Sequence, residues 1–203
     1  MKVSGSAVLH APRERVWTAL QDPAVLVRTI PGCQQLEQVG PDSYRATVMA
    51  GVASIKGTYS GDVRLTDQAE PNSFVLHASG AGTPGTVSAD VQVSLADADG
   101  EATRLDYDAD AVVGGMIGGV GQRMLIGVAK KTAGEFFTAV DDVLTGTVEV
   151  APAAATTPGI FSAPARQAQP ASVRVVLSAG AAGALIALGG VLVGWLISRP
   201  RPR

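Results

Sequence analysis

Residues Gly114–Leu144 read GGMIGGVGQRMLIGVAKKTAGEFFTAVDDVL, and the rest of the chain is organised around them. Apolar residues recur at Ile117, Val120, Met124 and Val128, and again at Phe136, Val140 and Leu144. That three-and-four spacing predicts one long helix over most of the stretch, with a single buried stripe. Lys130, Lys131, Glu135, Asp141 and Asp142 mark its solvated side. Such a helix would run roughly 40–45 Å, enough to cross a small sheet. Its first third is crowded with Gly114, Gly115, Gly118, Gly119 and Gly121. Each glycine inside a helix costs about 1 kcal/mol relative to alanine. Two readings fit. One is a frayed helix start packed closely on a strand. The other is a pliable gate, Gly114, Gly115, Gly118 and Gly119, over a space beneath. A dinucleotide fingerprint fails, because Gly119-Val-Gly121-Gln-Arg-Met124 lacks the third glycine and follows antiparallel strands.

Upstream, Gln34–Ala111 is strand after strand. The expected strands are Gln35–Val39, Tyr44–Val52, Ser54–Thr66, Ser73–Ser79, Thr86–Ala96 and Thr103–Ala111. Turn residues such as Gly40-Pro41-Asp42 and Asp97-Ala98-Asp99-Gly100 separate them. Links this short imply hairpins and an antiparallel meander. Val87, Ala89, Val91, Val93 and Leu95 alternate with Thr86, Ser88, Asp90, Gln92 and Ser94, so one face is apolar and the other wet. The apolar face needs a partner, and the long helix is the large one available. That face is undersized: Gly57, Gly61, Ala89, Ala109 and Ala111 share it with Ile55, Tyr59 and Val63. The glycines either bend the sheet or, with the alanines, leave a ligand-sized apolar cavity beneath the helix. The cavity is the favoured reading. Before the meander, Lys2–His10 alternates as a strand, Pro12 opens a short helix, and Pro23–Ile30 forms a second that Pro31-Gly32 stops.

Charge is uneven. Residues 1–145 hold 11 basic and 17 acidic side chains; residues 146–203 hold 5 basic and one acidic. No basic patch interleaves with aromatics, which argues against nucleic acid. One cysteine, Cys33, leaves no internal disulfide and suits a reducing compartment. Arginine outnumbers lysine 12 to 4, a hint of a GC-rich bacterial genome. Residues 146–174 form a Pro/Ala-rich linker with Pro152, Pro158, Pro164 and Pro170. Val175–Ile197 is 23 residues without a charge, long enough for a transmembrane anchor, followed by a basic tail, 198–203. The terminal arginines favour an inward C-terminus. The N-terminus has no apolar signal region, and Arg166 and Arg174 put positive charge on the domain side as well. The expectation is a single-pass anchor with the domain on the cytoplasmic face of the bacterial inner membrane.

Several features carry a resemblance together. They are the N-terminal strand, two short helices followed by Ile30-Pro31-Gly32-Cys33, a meander containing Ile55-Lys56-Gly57-Thr58-Tyr59-Ser60-Gly61, and a last helix with Gly121-Gln-Arg123 and Phe136-Phe137. Residues 1–145 so patterned resemble the carbon monoxide dehydrogenase G-subunit family, of the START-like, helix-grip superfamily (SRPBCC). The resemblance implies an α+β fold, a curved antiparallel sheet wrapped around a long C-terminal helix, with an internal apolar cavity. It also implies association with a molybdenum-containing carbon monoxide dehydrogenase at the membrane.

Little in the sequence suggests catalysis. His10 and His77 sit far apart in strand patterns, and Asp106, Asp108 and Asp110 fall together on the wet face. Cys33 has no second thiol and no assignable base. Arg123 is solvated or ion-paired, or contacts a polar ligand head. Without a nucleophile triad, metal set or phosphate loop, the expectation is a non-catalytic protein with no cofactor of its own. It would take up a lipophilic quinone, menaquinone before ubiquinone on the GC-rich hint alone, and carry it between bilayer and dehydrogenase. The expected lining is Leu26 and Ile30 from the second helix; Met49, Ile55, Tyr59, Leu76, Val91, Tyr107 and Ala109 from the sheet; and Met116, Ile117, Val120 and Met124 from the long helix. Methionine suits an adaptable pocket. Two other readings stay open: a ligand-independent docking scaffold for the dehydrogenase, and an assembly or maturation factor for a molybdenum hydroxylase.

Overall fold

The structure is a computed structural model that describes residues 1–147 and 159–162. The chain opens with strand β1 (Lys2–Leu9). Helix α1 (Arg13–Gln21) follows Pro12, and helix α2 (Pro23–Thr29) has proline in its first turn. Asp22 caps α2 by accepting from the Ala24 N–H at 2.8 Å, which serves a donor the helix leaves unpaired. The residue before Pro31, Ile30, is already extended at φ −69° and ψ 118°, so α2 stops there.

The meander follows as β2 (Cys33–Gly40), β3 (Ser43–Val52), β4 (Ile55–Ala69), β5 (Ser73–Gly82), β6 (Gly85–Ala98) and β7 (Ala102–Gly115). Each expected strand is present, most of them longer by a few residues at one or both ends. All pairs are antiparallel. With a short β8 (Ile160–Ser162) at the far edge, the order is β1-β7-β6-β5-β4-β3-β2-β8.

Two expectations need correcting. The long helix is shorter than its pattern suggests. Gly114 and Gly115 end β7, Met116–Val120 is a 3-10 turn, and helix α3 runs Gln122–Leu144, about 34 Å at the standard rise. The cause is backbone geometry. Gly115 sits at φ +77° and Gly121 at φ +101°, a region side chains other than glycine rarely enter, and neither conformation continues a helix. The linker, in turn, contains a strand. Ile160, Phe161 and Ser162 pair with Glu37, Leu36 and Gln35 of β2, and Phe161 packs against the core. Periodicity cannot register three residues, so the sequence pattern missed them. No helix among the described residues is long and apolar enough to cross a membrane. The expected anchor, 175–197, and tail, 198–203, lie outside the described residues, as does most of the linker.

The core lies at one end of the sheet's inner face. Leu36, Tyr44, Leu65, Phe74, Val93, Leu95 and Leu105 pack there beneath Val16, Trp17 and Leu20 of α1, Val25 and Val27 of α2, and Val140 and Leu144 of α3. The Trp17 and Phe74 rings meet edge to face at 5.6 Å, a favoured aromatic geometry. Thr103 Oγ1 donates to the Ala11 carbonyl at 2.7 Å, and the Tyr44 hydroxyl donates to that of Gln21 at 3.1 Å, so both buried hydroxyls are satisfied.

Candidate functional site: an apolar cavity under the last helix

Followed away from that core, the inner-face residues shrink. On β4, Leu65 gives way to Val63 and Gly61; on β5, Phe74 gives way to Ala78 and Gly80. Here α3 and the sheet do not meet, and a cavity of about 520 Å³ remains. That is within the roughly 300–1,000 Å³ of small-molecule sites. Its walls come from β3 (Ala46, Val48–Val52), β4 (Tyr59, Gly61, Val63), β5 (Ala78–Gly80), Val87, Val113, Ile117, and α3 (Leu125, Val128, Ala129, Thr132). Met1, Pro31 and Gly32 complete it. Apart from the Tyr59 phenol and the Thr132 and Ser79 side chains, the lining residues are apolar, glycine or proline.

Close backbone approaches hold the cavity open at its rim. Gly32 sits at φ +76°, and a Cβ there would lie 2.1 Å from the Met49 carbonyl oxygen. Met49 in turn donates its N–H to the Gly32 carbonyl at 2.8 Å. The Pro-Gly-Cys motif therefore stops α2 and clips its exit to β3. Gly85 and Gly115 do the same for the β6–β7 end, where a Cβ on Gly85 would lie 2.1 Å from the Gly114 carbonyl oxygen.

Of the expected lining residues, Met49, Tyr59 and Ile117 line the cavity. Leu26, Ile30, Leu76, Val91 and Tyr107 instead pack, half-buried, against the core. Tyr107 lies across Gly5, where a Cβ would be 2.6 Å from its oxygen, and its ring meets Phe137 at 5.7 Å. An inward-facing tyrosine beside a glycine on the edge strand fills that gap first. Ala109 is half-buried and does not line the cavity; Ile55 is half-buried at the β3–β4 turn, opposite Val52. Met116 and Met124 are exposed, at 60% and 49%, and Val120 is half-buried. The bend at Gly121 resets the helical phase, so Leu125, Val128 and Ala129 turn inward in place of Met124. Gly57, read as part of a small-residue void, is filled: a Cβ there would lie 2.4 Å from Pro84.

The expected gate glycines are mostly braced. Gly114 faces Thr86, Gly115 faces Gly85, and a Cβ on Gly118 would lie 2.9 Å from the Val113 carbonyl oxygen. Gly119 alone of the four has open space around it. Strand alternation could have found Val63, Ala78, Gly80, Val87 and Val113, since each continues an inner-face series.

Polar clusters lie elsewhere. A depression of about 690 Å³ on the outer face contains Arg45, Asp62, Arg64, His77 and Asp90. It is larger than the apolar cavity, but its charges are exposed and largely paired, Arg45 to Asp62 at 3.1 Å and His77 to Asp90 at 2.5 Å. Thr66 Oγ1 lies 3.0 Å from the other ring nitrogen of His77. Thr66, His77 and Asp90 form a cross-strand ladder of the kind that stabilises sheets. His10 is bonded to Asp141 at 2.8 Å, and Arg104 to Asp106 at 3.0 Å. No group of three or more metal-ligating side chains occurs among the described residues. Cys33 is buried, its thiol 3.5 Å from the Gln35 carbonyl oxygen, and burial pushes its pKa up. That is the environment of an inert thiol.

Residues 5–145 match the carbon monoxide dehydrogenase G-subunit family, CoxG. The chain belongs to this family. A conserved protein from Geobacillus kaustophilus is 37% identical; its structure superposes with a TM-score of 0.69 and covers 72% of this chain and 97% of its own. A START superfamily protein from Mycobacterium smegmatis, 16% identical, covers 72% and 99% with a TM-score of 0.57. The Zhui aromatase/cyclase from Streptomyces sp. R1128, 17% identical, covers 73% and 96% with the same score. At such identities the likeness is one of fold, so this CoxG-family chain has a START-like architecture. No curated protein is significantly similar to it.

Proposed function

We propose that this chain is a non-catalytic carrier of a lipophilic quinone, menaquinone first, serving a molybdenum-containing carbon monoxide dehydrogenase. Segment 175–197 anchors it at the cytoplasmic face of the inner membrane and thereby recruits the enzyme. The single observation that carries the reading is an apolar cavity of about 520 Å³ under the last helix of a CoxG-family protein. Oxidation of carbon monoxide releases electrons that need an acceptor. Quinones with isoprenoid tails stay in the bilayer, because moving each buried methylene into water costs about 0.8 kcal/mol. A cavity that covers the ring and the first part of the tail removes the share of that cost that belongs to the covered atoms. The lining has no charged side chain, its Met1 ammonium is already bonded to the Ala111 carbonyl, and no metal-ligating set occurs among the described residues, which favours an apolar cargo. Tyr59 and Thr132 supply hydroxyls that can hydrogen-bond a ring carbonyl.

The test is mass spectrometry of organic extracts from the full chain purified from its native membrane. Quinone near one equivalent per chain is expected. Ala129→Phe and Gly80→Leu fill the cavity and should remove it; Gly80 has room, its nearest neighbours lying at 3.7 and 3.8 Å from a Cβ. Extracts free of quinone, with dehydrogenase-to-quinone electron flow unchanged in both filled variants, would overturn the carrier. Dehydrogenase that still co-purifies in that case returns the docking scaffold.

A further inference from the structure

The domain is acidic overall, yet the segments around the cavity mouth carry no acid. They are the α2–β2 turn at Pro31 and Gly32, the β3–β4 turn after Met49, the β5–β6 turn after Gly80, and the chain from Val113 through Leu125. No Asp or Glu occurs between Asp22 and Glu37, between Asp42 and Asp62, between Glu70 and Asp90, or between Asp110 and Glu135. Lys56 and Arg123 fall within these windows; both are exposed and make no ion pair among the described residues. The acids sit instead on the outer face and at the opposite end, among them Asp106, Asp108 and the Asp97–Glu101 turn.

The same mouth carries exposed apolar side chains. Met49 is 54% exposed and lines the cavity. Met116 and Met124 are exposed, and each adjoins in sequence a residue that lines it, Ile117 and Leu125. Long flexible apolar side chains beside unpaired cations, with no acid between, match one surface best. It is apolar a few ångströms down and negatively charged at its phosphates. A protein partner would more commonly be met by exposed Trp or Tyr anchors, and the tyrosine here, Tyr59, is half-buried in the cavity wall.

We propose that the cavity mouth docks on an anionic phospholipid bilayer. Met49, Met116 and Met124 enter its interfacial layer, and Lys56 and Arg123 contact the lipid phosphates. This deepens the carrier reading by assigning where an apolar ligand enters without crossing water. The docking itself does not depend on the ligand being a quinone.

The test uses the full chain reconstituted in phosphatidylcholine vesicles with and without phosphatidylglycerol. A fluorophore is attached at Met124→Cys, with Asp108→Cys on the outer face as reference. The unsubstituted chain is the labelling blank, because Cys33 is buried. In anionic vesicles, quenching by nitroxide-bearing lipid is expected at the mouth and not at the reference. Lys56→Glu with Arg123→Glu should lower the quenched population at least about fivefold. Raised salt should lower it as well, since exposed charges are screened. A mouth probe as open to aqueous iodide in anionic as in neutral vesicles would overturn the proposal. So would indifference to the double charge reversal. Ligand content of the same variants in detergent separates the two readings. Ligand retained by a chain whose mouth never docks sinks the docking alone; a docked mouth on a chain that holds no ligand sinks the carrier alone.

Discussion

Strands β4, β5, β6 and β7 each cross the inner face from a packed end to an open one. At the packed end they present Leu65, Phe74, Val93, Leu95 and Leu105, each no more than 9% exposed beneath Trp17, Val140 and Leu144. A few residues further along they present Gly61, Ala78, Gly80, Val87 and Val113, and α3 stands off above them. Pairing and alternation are continuous across both regions. What differs is side-chain volume. Interiors pack to nearly constant density, so large residues close the gap between sheet and helix, while small ones leave it for a ligand. The packed end holds the fold together, and the open end is free to serve a cargo.

Substitutions can break this contrast. The largest effect is expected from Leu105→Ala, 1% exposed at the packed end. It should cost about 2–5 kcal/mol in denaturant unfolding. A cost below about 1 kcal/mol would mean that the packed end is loose too. Gly32→Ala places a methyl against the Met49 carbonyl at a positive φ, and should cost about 1–3 kcal/mol while disturbing the mouth. Tyr44→Phe removes the bond to the Gln21 carbonyl and should cost about 1 kcal/mol.

Tyr44 also sharpens the contrast through pH. Burial, then the charges of Asp42 and Asp22, hold its phenol above the ordinary value, and burial does the same for the Cys33 thiol. The fold thus favours the protonated forms. Their contribution is fully present below the ordinary values, about 8.5 for a thiol and 10 for a phenol, and is lost as pH rises past them. Urea midpoints should fall across that window, and Tyr44→Phe should flatten the upper part of the fall. Ala129→Phe at the open end should change stability by less than about 1 kcal/mol while abolishing ligand uptake. The smallest effect belongs to Asp90→Asn on the outer face, within about 0.5 kcal/mol, since exposed pairs contribute little.

The sheet was legible because its strands alternate cleanly and their turns are rich in Gly, Pro and Asp. A deficit of volume on the inner face pointed to the cavity. Of the five small residues read there, only Gly61 lines it; Gly57 is filled by Pro84, and Ala89, Ala109 and Ala111 lie outside the lining. Its lining was only partly legible, with Met49, Tyr59 and Ile117 placed there and Tyr107 and Met124 placed elsewhere. Tyr107 was taken up by Gly5 of β1, which is about a hundred residues away in sequence and visible only through strand pairing. Met124 was turned outward by the Gly121 bend, where φ +101° resets the phase of α3.

Local pattern by itself determined the order of β1–β7 and of the three α-helices, the apolar face and the family motifs, because alternation, helical period and turn chemistry act over a few residues. Three things were decided by tertiary structure alone. They are which small residues leave real space, which glycines are merely filled by a neighbour such as Pro84, and the return of Phe161 to the β2 edge. Each depends on groups far apart in the chain, and their approach is set by packing and strand register.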